Sequence, residues 1–286
     1  MNIVIVGLGV IGGSFAKSLH RLGGHTVYGV DRDPETLRKA TQAGLIGAGS
    51  TDAGEFLPLA DLTVLCIYPD AVRPFLEQYG GLVRAGSVIT DTAGVKQQIL
   101  RSAGELFPPQ ADFILGHPMA GREKRGFDFA SAEVFDGANY ILTPLEQNRP
   151  ENLDMVERLV LEMGFGRVMR ISPAEHDQLI AFTSQLPHAL AVALINSDEE
   201  GRDTGCFIGD SYRDLTRIAN INENLWSELF LINRENLLES IENFEAQLDI
   251  IKEALRCGDS ARLQERFRTS SARRQKLNVG DNVRKK

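Results

Sequence analysis

The sequence predicts a mostly parallel, doubly wound α/β domain over residues 1–171, followed by an all-helical domain over residues 172–280. Three observations lead to this prediction. In the first part, short β-branched apolar runs alternate with amphipathic stretches, which is typical of a sheet covered by helices on both faces. Of the 27 glycines, 20 lie in residues 1–137, so turns are concentrated there. After residue 171, apolar residues recur almost throughout with helical spacing.

The first part contains alternating strands and helices. The predicted strands are 2–6, 25–30, 62–67, 87–90 and 113–115. The predicted helices between them are 11–22, 34–43, 71–79 and 95–106. Strands at 134–143 and 167–171, with a helix at 152–162 between them, are expected to extend the same sheet.

The second part begins with a strong helix-start signal at Ser172, Pro173 and Glu175. The predicted helices are 175–196, about 207–219, 223–256 and 260–277. A single helix over 223–256 would be about 50 Å long, more than a small domain buries along its length. We therefore expect a second copy of the chain to cover it, as in a homodimer. The alternative is two shorter helices with a break near 233–236.

Composition excludes several classes of protein. The chain has 286 residues, of which 43% are hydrophobic and 24% are charged, as in folded globular proteins. We see no apolar run near the roughly 18 residues of a membrane helix, so we expect no membrane association. The start, MNIVIVGLG, begins a strand directly and leaves no room for a signal peptide. Three widely spaced cysteines argue against a disulfide framework. These features predict a cytoplasmic protein.

The net charge of −8 is unevenly distributed. Residues 262–286 carry nine basic and two acidic side chains, which leaves the rest of the chain near −15. This basic segment has one aromatic residue, Phe267, rather than an interleaved series, and no recognisable nucleic-acid-binding module. We expect residues 281–286 to form a solvated basic tail, and we expect no nucleic-acid partner.

A glycine-rich turn follows the first predicted strand and opens the first helix. It consists of Gly7, Leu8, Gly9, Val10, Ile11 and Gly12. In such a turn the first glycine allows the tight bend, the second lets the backbone approach a pyrophosphate, and the third lets helix and strand pack closely. The helix N-terminus then offers unpaired N–H groups to the phosphates. The turn therefore predicts a dinucleotide site.

The second predicted strand ends at Asp31, nineteen residues past Gly12. An acidic side chain there can bind both hydroxyls of a ribose and would repel a 2′-phosphate, which favours NAD over NADP. Arg32, the next residue, leaves NADP as an alternative. The sequence also allows Asp31 to be only a turn residue before Asp33 and Pro34.

His117 is the candidate for chemistry among five histidines. It follows the predicted strand 113–115, at the carboxyl edge where ligands of doubly wound sheets bind, and histidine exchanges protons near neutral pH. His176 and His188 are twelve residues apart, about 120° around an ideal helix, so we expect no metal site from them. The charged run at 213–217 is on its own typical of surface ion pairs.

Five motifs, in this order and spacing, resemble the prephenate dehydrogenase family, which includes arogenate and cyclohexadienyl dehydrogenases. The motifs are GxGxxG at 7–12, DTAGVK at 91–96, GHPMAG at 116–121, EHD at 175–177 with LPH at 186–188, and YRDLTR at 212–217. The resemblance covers residues 1 to about 280. It implies a Rossmann-like domain, an all-helical dimerisation domain and NAD as cofactor. The implied reaction is oxidative decarboxylation of prephenate to 4-hydroxyphenylpyruvate in tyrosine biosynthesis, or of arogenate to tyrosine.

The resemblance also implies roles for single residues. His117 would accept the proton of the substrate's 4-hydroxyl as hydride leaves for the nicotinamide. Arg217 would hold a substrate carboxylate, with Asp214 helping to orient it. The other residues implied at the pocket or the cofactor are His188, Trp226, Thr92 and Glu123, the last of which would gate the pocket through an ionic contact with the arginine.

One position departs from the family pattern, because Gly94 stands where many members carry a serine. Two other classes of protein would carry different residues. A β-hydroxyacid dehydrogenase of the same architecture would carry a catalytic lysine on a helix of its second domain, whereas residues 172–256 contain only Lys252. A non-catalytic NAD-binding scaffold would have no need of His117, Arg217 and Asp214.

Overall fold

A computed structural model describes residues 1–121 and 124–282. The chain forms two compact units, one over Met1–Asn233 and one that begins at Arg234. The first unit contains the whole sheet, its covering helices and the first helices of the all-helical part. The predicted fold class, a mostly parallel α/β domain plus helices, is confirmed. The predicted boundary after residue 171 stays a prediction.

The described strands form one eight-stranded sheet in the order β3-β2-β1-β4-β5-β6-β7-β8. Their bounds are β1 Asn2–Val6, β2 Thr26–Val30, β3 Ala48–Ser50, β4 Leu62–Leu65, β5 Val88–Asp91, β6 Asp112–Met119, β7 Asn139–Thr143 and β8 Arg167–Arg170. Neighbouring strands are parallel, except that β6 and β7 are antiparallel. The short edge strand β3 was missed, since three residues with a glycine at their centre carry too little apolar pattern.

Five helices accompany the sheet in the described residues. They are α1 Val10–Leu22, α2 Pro34–Gln42, α3 Pro69–Tyr79, α4 Gln97–Ala103 and α5 Pro150–Glu162. Both faces of the sheet are buried, as alternate side chains of the central strand β1 show. Ile3 and Ile5 belong to one hydrophobic cluster, whereas Val4 and Val6 belong to the other. This two-sided burial explains the continuous apolar run that predicted β1.

Strand β6 is longer than predicted, and His117 lies within it rather than after it. β6 pairs with β5 as far as Ile114, and from Leu115 to Met119 it pairs with β7 on its other side. Pro118 is tolerated there because that end of β6 has only one paired neighbour. The predicted strand 134–143 is shorter in the structure. Its strand β7 begins only at Asn139, because Gly137 turns the chain at φ 74°.

The predicted helix 175–196 is present, but its middle turn is a π-helix. The segments are α6 Pro173–Ile180, the π-turn Ala181–Gln185 and α7 Leu186–Asn196. Ser172 and Glu175 form the predicted capping box. Pro187 has no N–H and its ring crowds the preceding turn, and a wider π-turn relieves both problems. One extra residue in a turn removes about 100° of rotation. His176 and His188 therefore lie closer to one face than the predicted 120° separation.

The rest of the first unit contains α8 Asp210–Thr216 and α9 Glu223–Ile232. The expected single helix 223–256 is wrong, and the alternative with a break is correct, because α9 ends before Asn233 and the next helix begins after it. The cause is the buried Asn233 side chain, whose amide donates to the Asp177 carbonyl at 2.8 Å and to Gln185 Oε1 at 2.9 Å. These bonds hold Asn233 outside helical geometry, at φ −106° and ψ 24°.

The second unit contains α10 Arg234–Arg256 and α11 Ser260–Asn282, joined by a turn in which Gly258 has φ 64°. Several large apolar side chains of this unit are exposed. They include Leu238, Leu248, Leu255 and Phe267. Exposed apolar residues on long helices are typical of a surface that another chain covers. Of the predicted basic tail, residues 283–286 lie outside the described part of the chain.

Within the described residues, one helix is long and apolar enough to cross a membrane by length and composition alone. It spans Pro173–Asn196, with a mean hydropathy of 1.4 over its most apolar window. The expectation that no stretch reaches this length and polarity was therefore wrong. The finding is weak evidence for a membrane span, because core helices of soluble proteins have the same composition. Polar side chains of this helix, among them His176 and Asp177, are buried and hydrogen-bonded.

Candidate active site

The glycine-rich turn has the shape that a dinucleotide needs. Gly7 has φ 89°, and its N–H donates to the Val30 carbonyl at 2.7 Å. A Cβ on Gly12 would lie 1.8 Å from the Gly7 carbonyl oxygen, so only glycine lets α1 pack this close to β1. A Cβ on Gly9 would meet nothing within 4 Å, which leaves the backbone open. Gly9 is also the N-cap of α1 and has no side chain to occupy its first N–H groups. The turn therefore fits a pyrophosphate.

Asp31 connects the glycine-rich turn to the end of β2. Its Oδ2 accepts the Leu8 N–H at 2.7 Å, and its Oδ1 accepts the Asp33 N–H at 2.9 Å. Asp31 thus makes the contacts of a turn residue, and its contact with a cofactor ribose stays a prediction. Each carboxylate oxygen has a second lone pair, so the side chain keeps acceptor capacity for ribose hydroxyls. Arg32 beside it is exposed.

One cavity of about 800 Å³ lies where the glycine-rich turn, the carboxyl ends of β4 to β6 and the helices α6 to α9 meet. The predicted residues that line it are Gly9, Val10, Ile11, Thr92, His117, His188, Arg217 and Trp226. The predicted residues found outside its lining are Gly7, Leu8, Gly12, Asp31, Arg32 and Asp214. Glu123 lies outside the described residues. The cavity thus joins the dinucleotide turn to the candidate base and the candidate carboxylate-binding arginine.

His117 contributes one edge of its half-buried ring to this cavity. Its Nδ1 lies 2.9 Å from Nε2 of His176, on the side away from the cavity. Burial, the neighbouring His176 and the positive charge of Lys96 hold the pKa of His117 well below its usual value of 6.5. His117 is therefore neutral near pH 7 and able to accept a proton.

On the side of His117 away from the cavity, His176 contacts both His117 and Asp177. His176 Nδ1 lies 2.7 Å from Asp177 Oδ1, and both side chains are buried. Asp177 also accepts the backbone N–H groups of Lys96 and Gln97 at 2.8 and 2.9 Å. Burial lowers the pKa of His176, and Asp177 opposes that shift. The EHD motif at 175–177 contains both residues, but nothing in its sequence shows that His176 contacts a residue 59 positions away.

A buried ion pair supports the strand segment that carries His117. Lys96 Nζ lies 2.6 Å from Asp91 Oδ2, and neither side chain has more than 1% of its surface exposed. Lys96 also donates to the Gly116 carbonyl, and Asp91 Oδ1 accepts the Gly116 N–H at 3.1 Å. The two side chains thus bind both the carbonyl and the N–H of Gly116, which lies past Ile114, where the pairing of β6 with β5 ends. The DTAGVK and GHPMAG motifs therefore form one structural unit.

The opposite wall of the cavity is aromatic and basic. The rings of His188 and Trp226 stack with centroids 3.7 Å apart, and Phe230 packs edge-on against Trp226. His188 Nδ1 lies 2.8 Å from the Ser184 carbonyl, which makes Nδ1 the donor. Arg217 follows α8 and lines the same cavity. Such a wall suits an anionic ligand with a flat ring.

Thr92 and Gly94 lie between β5 and α4 at the cavity. The Thr92 hydroxyl and N–H both donate to the Leu65 carbonyl, at 3.2 and 3.0 Å, so this hydroxyl is engaged away from His117. A Cβ on Gly94 would lie 3.8 Å from His117 Nε2 and 3.5 Å from Leu229 Cδ2, which are ordinary contacts. A Cβ at this position would therefore fit beside His117 without displacing its neighbours.

The low pKa values of His117 and His176 predict that the protein loses stability as the pH falls below 6.5. In the unfolded chain both histidines take up protons near pH 6.5, whereas in the folded chain they resist protonation. Each of the two histidines should lower the free energy of unfolding by up to about 1.4 kcal/mol per pH unit below pH 6.5. Denaturant titrations between pH 7.5 and 5.5 measure this loss. The His117→Asn variant should lose less over the same range, and an equal loss would contradict the assignment.

A dinucleotide turn and a neutral histidine on one cavity define an oxidoreductase of the NAD-linked dehydrogenase class. The family model "Prephenate dehydrogenase, nucleotide-binding domain" matches residues 15–169, and "Prephenate dehydrogenase, dimerization domain" matches residues 172–269. The chain belongs to the prephenate dehydrogenase family. Among the described residues, no group of three His, Cys, Asp or Glu side chains could hold a metal ion.

Similar proteins include prephenate, arogenate and cyclohexadienyl dehydrogenases. Prephenate dehydrogenase of Aquifex aeolicus, solved with hydroxyphenyl propionate and NAD+, is 31% identical with a TM-score of 0.87, and the match covers 97% of this chain and 98% of that one. Arogenate dehydrogenase of Synechocystis is 32% identical with a TM-score of 0.82 over 97% and 100%. Cyclohexadienyl dehydrogenase of Zymomonas mobilis is 28% identical over 99% and 98%. The predicted NAD cofactor is confirmed by the nucleotide-binding family model and the NAD+ complex.

Proposed function

We propose that this enzyme catalyses the NAD-dependent oxidative decarboxylation of prephenate to 4-hydroxyphenylpyruvate, a step of tyrosine biosynthesis. The observation that carries the proposal is His117, a histidine of lowered pKa that shares one cavity with the open glycine-rich turn. Bound NAD would supply the hydride acceptor, and Gly9, Val10 and Ile11 would hold its pyrophosphate. The name of the Aquifex aeolicus relative supports the choice of prephenate.

In this reaction the protein has little bond-making to do. His117 Nε2 accepts the 4-hydroxyl proton while hydride leaves C4, so that C4 becomes a carbonyl carbon. The C1–carboxylate bond then breaks, its electron pair enters the ring as CO₂ departs, and the proton returns from His117 to the same oxygen. Because the ring gains aromaticity, the side chains mainly position the substrate and balance charge.

Arg217 and the aromatic wall would bind the rest of the substrate. The guanidinium is suited to a carboxylate by its two-pronged donor geometry, and the stacked rings of His188 and Trp226 form a flat surface beside it. Asp214 would act through Arg217, and Glu123 would gate the pocket. Thr92 would contact the cofactor from the end of β5.

Asp31 supports NAD rather than NADP as the cofactor. Its carboxylate is held beside the glycine-rich turn by the Leu8 N–H, where a ribose 2′-phosphate would meet a like charge. Arg32 is exposed next to Asp31, and its positive charge favours the phosphorylated cofactor. The preference is therefore expected to be strong but not absolute.

Arogenate is the second candidate substrate. It differs from prephenate by an amino group in place of the side-chain keto group, and a 32% identical relative is an arogenate dehydrogenase. The test is to follow NADH and NADPH formation with each of the two substrates, and to identify the product. Formation of NADH and 4-hydroxyphenylpyruvate from prephenate is expected. Turnover of arogenate alone would replace the proposal with the second candidate, and no turnover of either would overturn both.

Replacing Arg217 by glutamine should raise the KM for prephenate by about 10 to 100-fold and change kcat less than about fivefold. The reason is the loss of a charge-assisted pair to a substrate carboxylate, which contributes about 1.5–3 kcal/mol. Steady-state kinetics at saturating NAD measures both constants. Arg213→Gln is the matched control, because Arg213 is exposed, pairs with Asp210 and lies outside the cavity lining. An unchanged KM in Arg217→Gln would remove Arg217 from the site.

We further propose a homodimer formed through the C-terminal helices, in the cytoplasm. The exposed apolar side chains of α10 and α11 support it, since water does not favour such a surface in an isolated chain. The name of the second family model, a dimerization domain, supports it as well.

A further inference from the structure

Three side chains form a hydrogen-bonded line that ends at the cavity. His117 Nδ1 lies 2.9 Å from His176 Nε2, and His176 Nδ1 lies 2.7 Å from Asp177 Oδ1. The two imidazole rings meet edge to face, at 62° with centroids 5.1 Å apart. We call this the His117–His176–Asp177 triad. It joins β6 to α6 through two histidines that are 59 residues apart in sequence.

The hydrogen bonds around Asp177 decide the direction of the protons. Its Oδ1 accepts the Lys96 N–H at 2.8 Å, and its Oδ2 accepts the Gln97 N–H at 2.9 Å. Both oxygens therefore face backbone donors and act as acceptors, so the remaining contact of Oδ1 must be to a donor. His176 Nδ1 must carry a hydrogen.

A neutral imidazole has one N–H, so a hydrogen on Nδ1 of His176 leaves its Nε2 as an acceptor. The partner of that acceptor, Nδ1 of His117, must then be the donor. Nε2 of His117 is left with its lone pair. This nitrogen lies on the cavity side of the ring, 3.8 Å from the position of a Cβ on the cavity residue Gly94.

We propose that His176 and Asp177 are positioning residues that hold His117 in the Nδ1–H tautomer, so that Nε2 is the proton acceptor. The proposal rests on the proposed function, in which His117 is the base. A neutral histidine with its hydrogen on Nε2 could not accept a proton at the cavity. When His117 takes up the proton on Nε2, its Nδ1–H still donates to His176, so the triad needs no rearrangement during the reaction.

The charged groups around the two histidines of the triad are Lys96 before α4, Asp91 at the end of β5 and Asp177 on α6. Across the cavity lie His188 on α7 and Arg217 after α8. These charges act on the two neutral tautomers of His117 only through the difference in their dipoles. The hydrogen bond to His176 is more selective, since it requires a donor at Nδ1.

The test compares two amides of different reach at position 176. In His176→Gln, the amide oxygen can reach the position of Nε2 and accept the His117 Nδ1–H. In His176→Asn, the shorter amide can reach Asp177 but leaves His117 without its acceptor. We expect kcat to fall by about 10² to 10⁴-fold in the Asn variant, as for a wrong-tautomer histidine in serine proteases, and by less than about tenfold in the Gln variant. KM values for substrate and NAD should change less than about fivefold in both.

The tautomer of His117 can be measured directly, and it would not change if His176 had only a structural role. With ¹⁵N-labelled histidine, NMR shifts should show an unprotonated Nε2 on His117 in the wild type and in His176→Gln, and a protonated Nε2 in a substantial fraction of His176→Asn. The His117→Asn variant assigns the signal, and His20→Asn, a change at an exposed position on α1, is the control for substitution. Thermal unfolding checks that each variant is folded.

The outcomes separate this proposal from the proposed function. An unchanged kcat in His117→Asn would overturn the role of His117 as the base. A large loss in His117→Asn together with equal kcat values for the Asn and Gln variants would overturn the positioning role alone. A protonated Nε2 on His117 in the wild-type enzyme would also overturn it, whether or not either variant folds.

Discussion

Replacement of His117 by asparagine should lower kcat by about 10³-fold or more, while the KM for prephenate changes less than about fivefold. Asparagine keeps a polar group near the position of Nδ1 but has no group at Nε2 that could accept a proton, and loss of general-base catalysis costs about 10² to 10⁴-fold. Burial, His176 and Lys96 keep His117 neutral in the wild type. Rapid-mixing or steady-state assays of NADH formation at saturating substrate and NAD measure the loss.

The pH dependence of the wild-type enzyme provides a second measurement of the same assignment. Because the pKa of His117 is lowered well below 6.5, the acid limb of kcat/KM should also lie below pH 6.5, where His117 becomes protonated and loses its lone pair. This limb should disappear from the residual activity of the Asn variant. If the acid limb were unchanged in His117→Asn, it would belong to another group. If kcat were unchanged in this variant, His117 would have no part in the chemistry.

Much of the fold could be predicted from the sequence because its signals are local. The glycine-rich turn, the buried central strands and the capping box at Ser172 each depend on a few neighbouring residues. The full length of β6 could not be predicted in this way. It depends on pairing with β7, which continues past the end of β5 and places His117 inside the strand. The break at Asn233 likewise depends on contacts with Gln185 and Asp177.

The candidate site could be predicted in part. His117, His188, Arg217 and Trp226 line one cavity, as the resemblance implied, although their roles stay predictions. The EHD motif of the resemblance includes His176 but implied no role for it, and ideal helix geometry set it about 120° from His188. The π-turn at Ala181–Gln185 invalidates that geometry, and it arises where Pro187 interrupts an otherwise continuous helix. Periodicity analysis assumes regular turns and therefore cannot detect such a change.

The buried pair of Lys96 and Asp91 shows what the DTAGVK motif contributes to the site. Past Ile114, β6 has no parallel partner on the β5 side, so the backbone groups of Gly116 need other partners. Lys96 and Asp91 supply them, and the lysine charge also disfavours protonation of His117. One side chain thus contributes to both the position and the pKa of the candidate base. This double role explains a fully buried lysine whose own pKa is lowered by its burial.

Replacement of Gly12 by alanine should raise the KM for NAD by about 100-fold or more and lower the free energy of unfolding by about 1–3 kcal/mol. The added Cβ would lie 1.8 Å from the Gly7 carbonyl oxygen and 3.2 Å from Cys66 Cβ, so α1 must move away from β1. Overpacking in a close-packed core costs about that much. The same movement would displace the N–H groups of α1 that face the pyrophosphate.

Two further glycines separate the two effects of Gly12→Ala. In Gly9→Ala the new Cβ meets nothing within 4 Å in the protein, so stability should stay within about 0.5 kcal/mol while the KM for NAD still rises. In Gly81→Ala, which is also in open space but outside the cavity lining, neither quantity should change appreciably. Urea titrations and NAD saturation curves on the three variants measure both. If Gly12→Ala bound NAD normally, close packing of α1 against β1 would not be what shapes the dinucleotide turn.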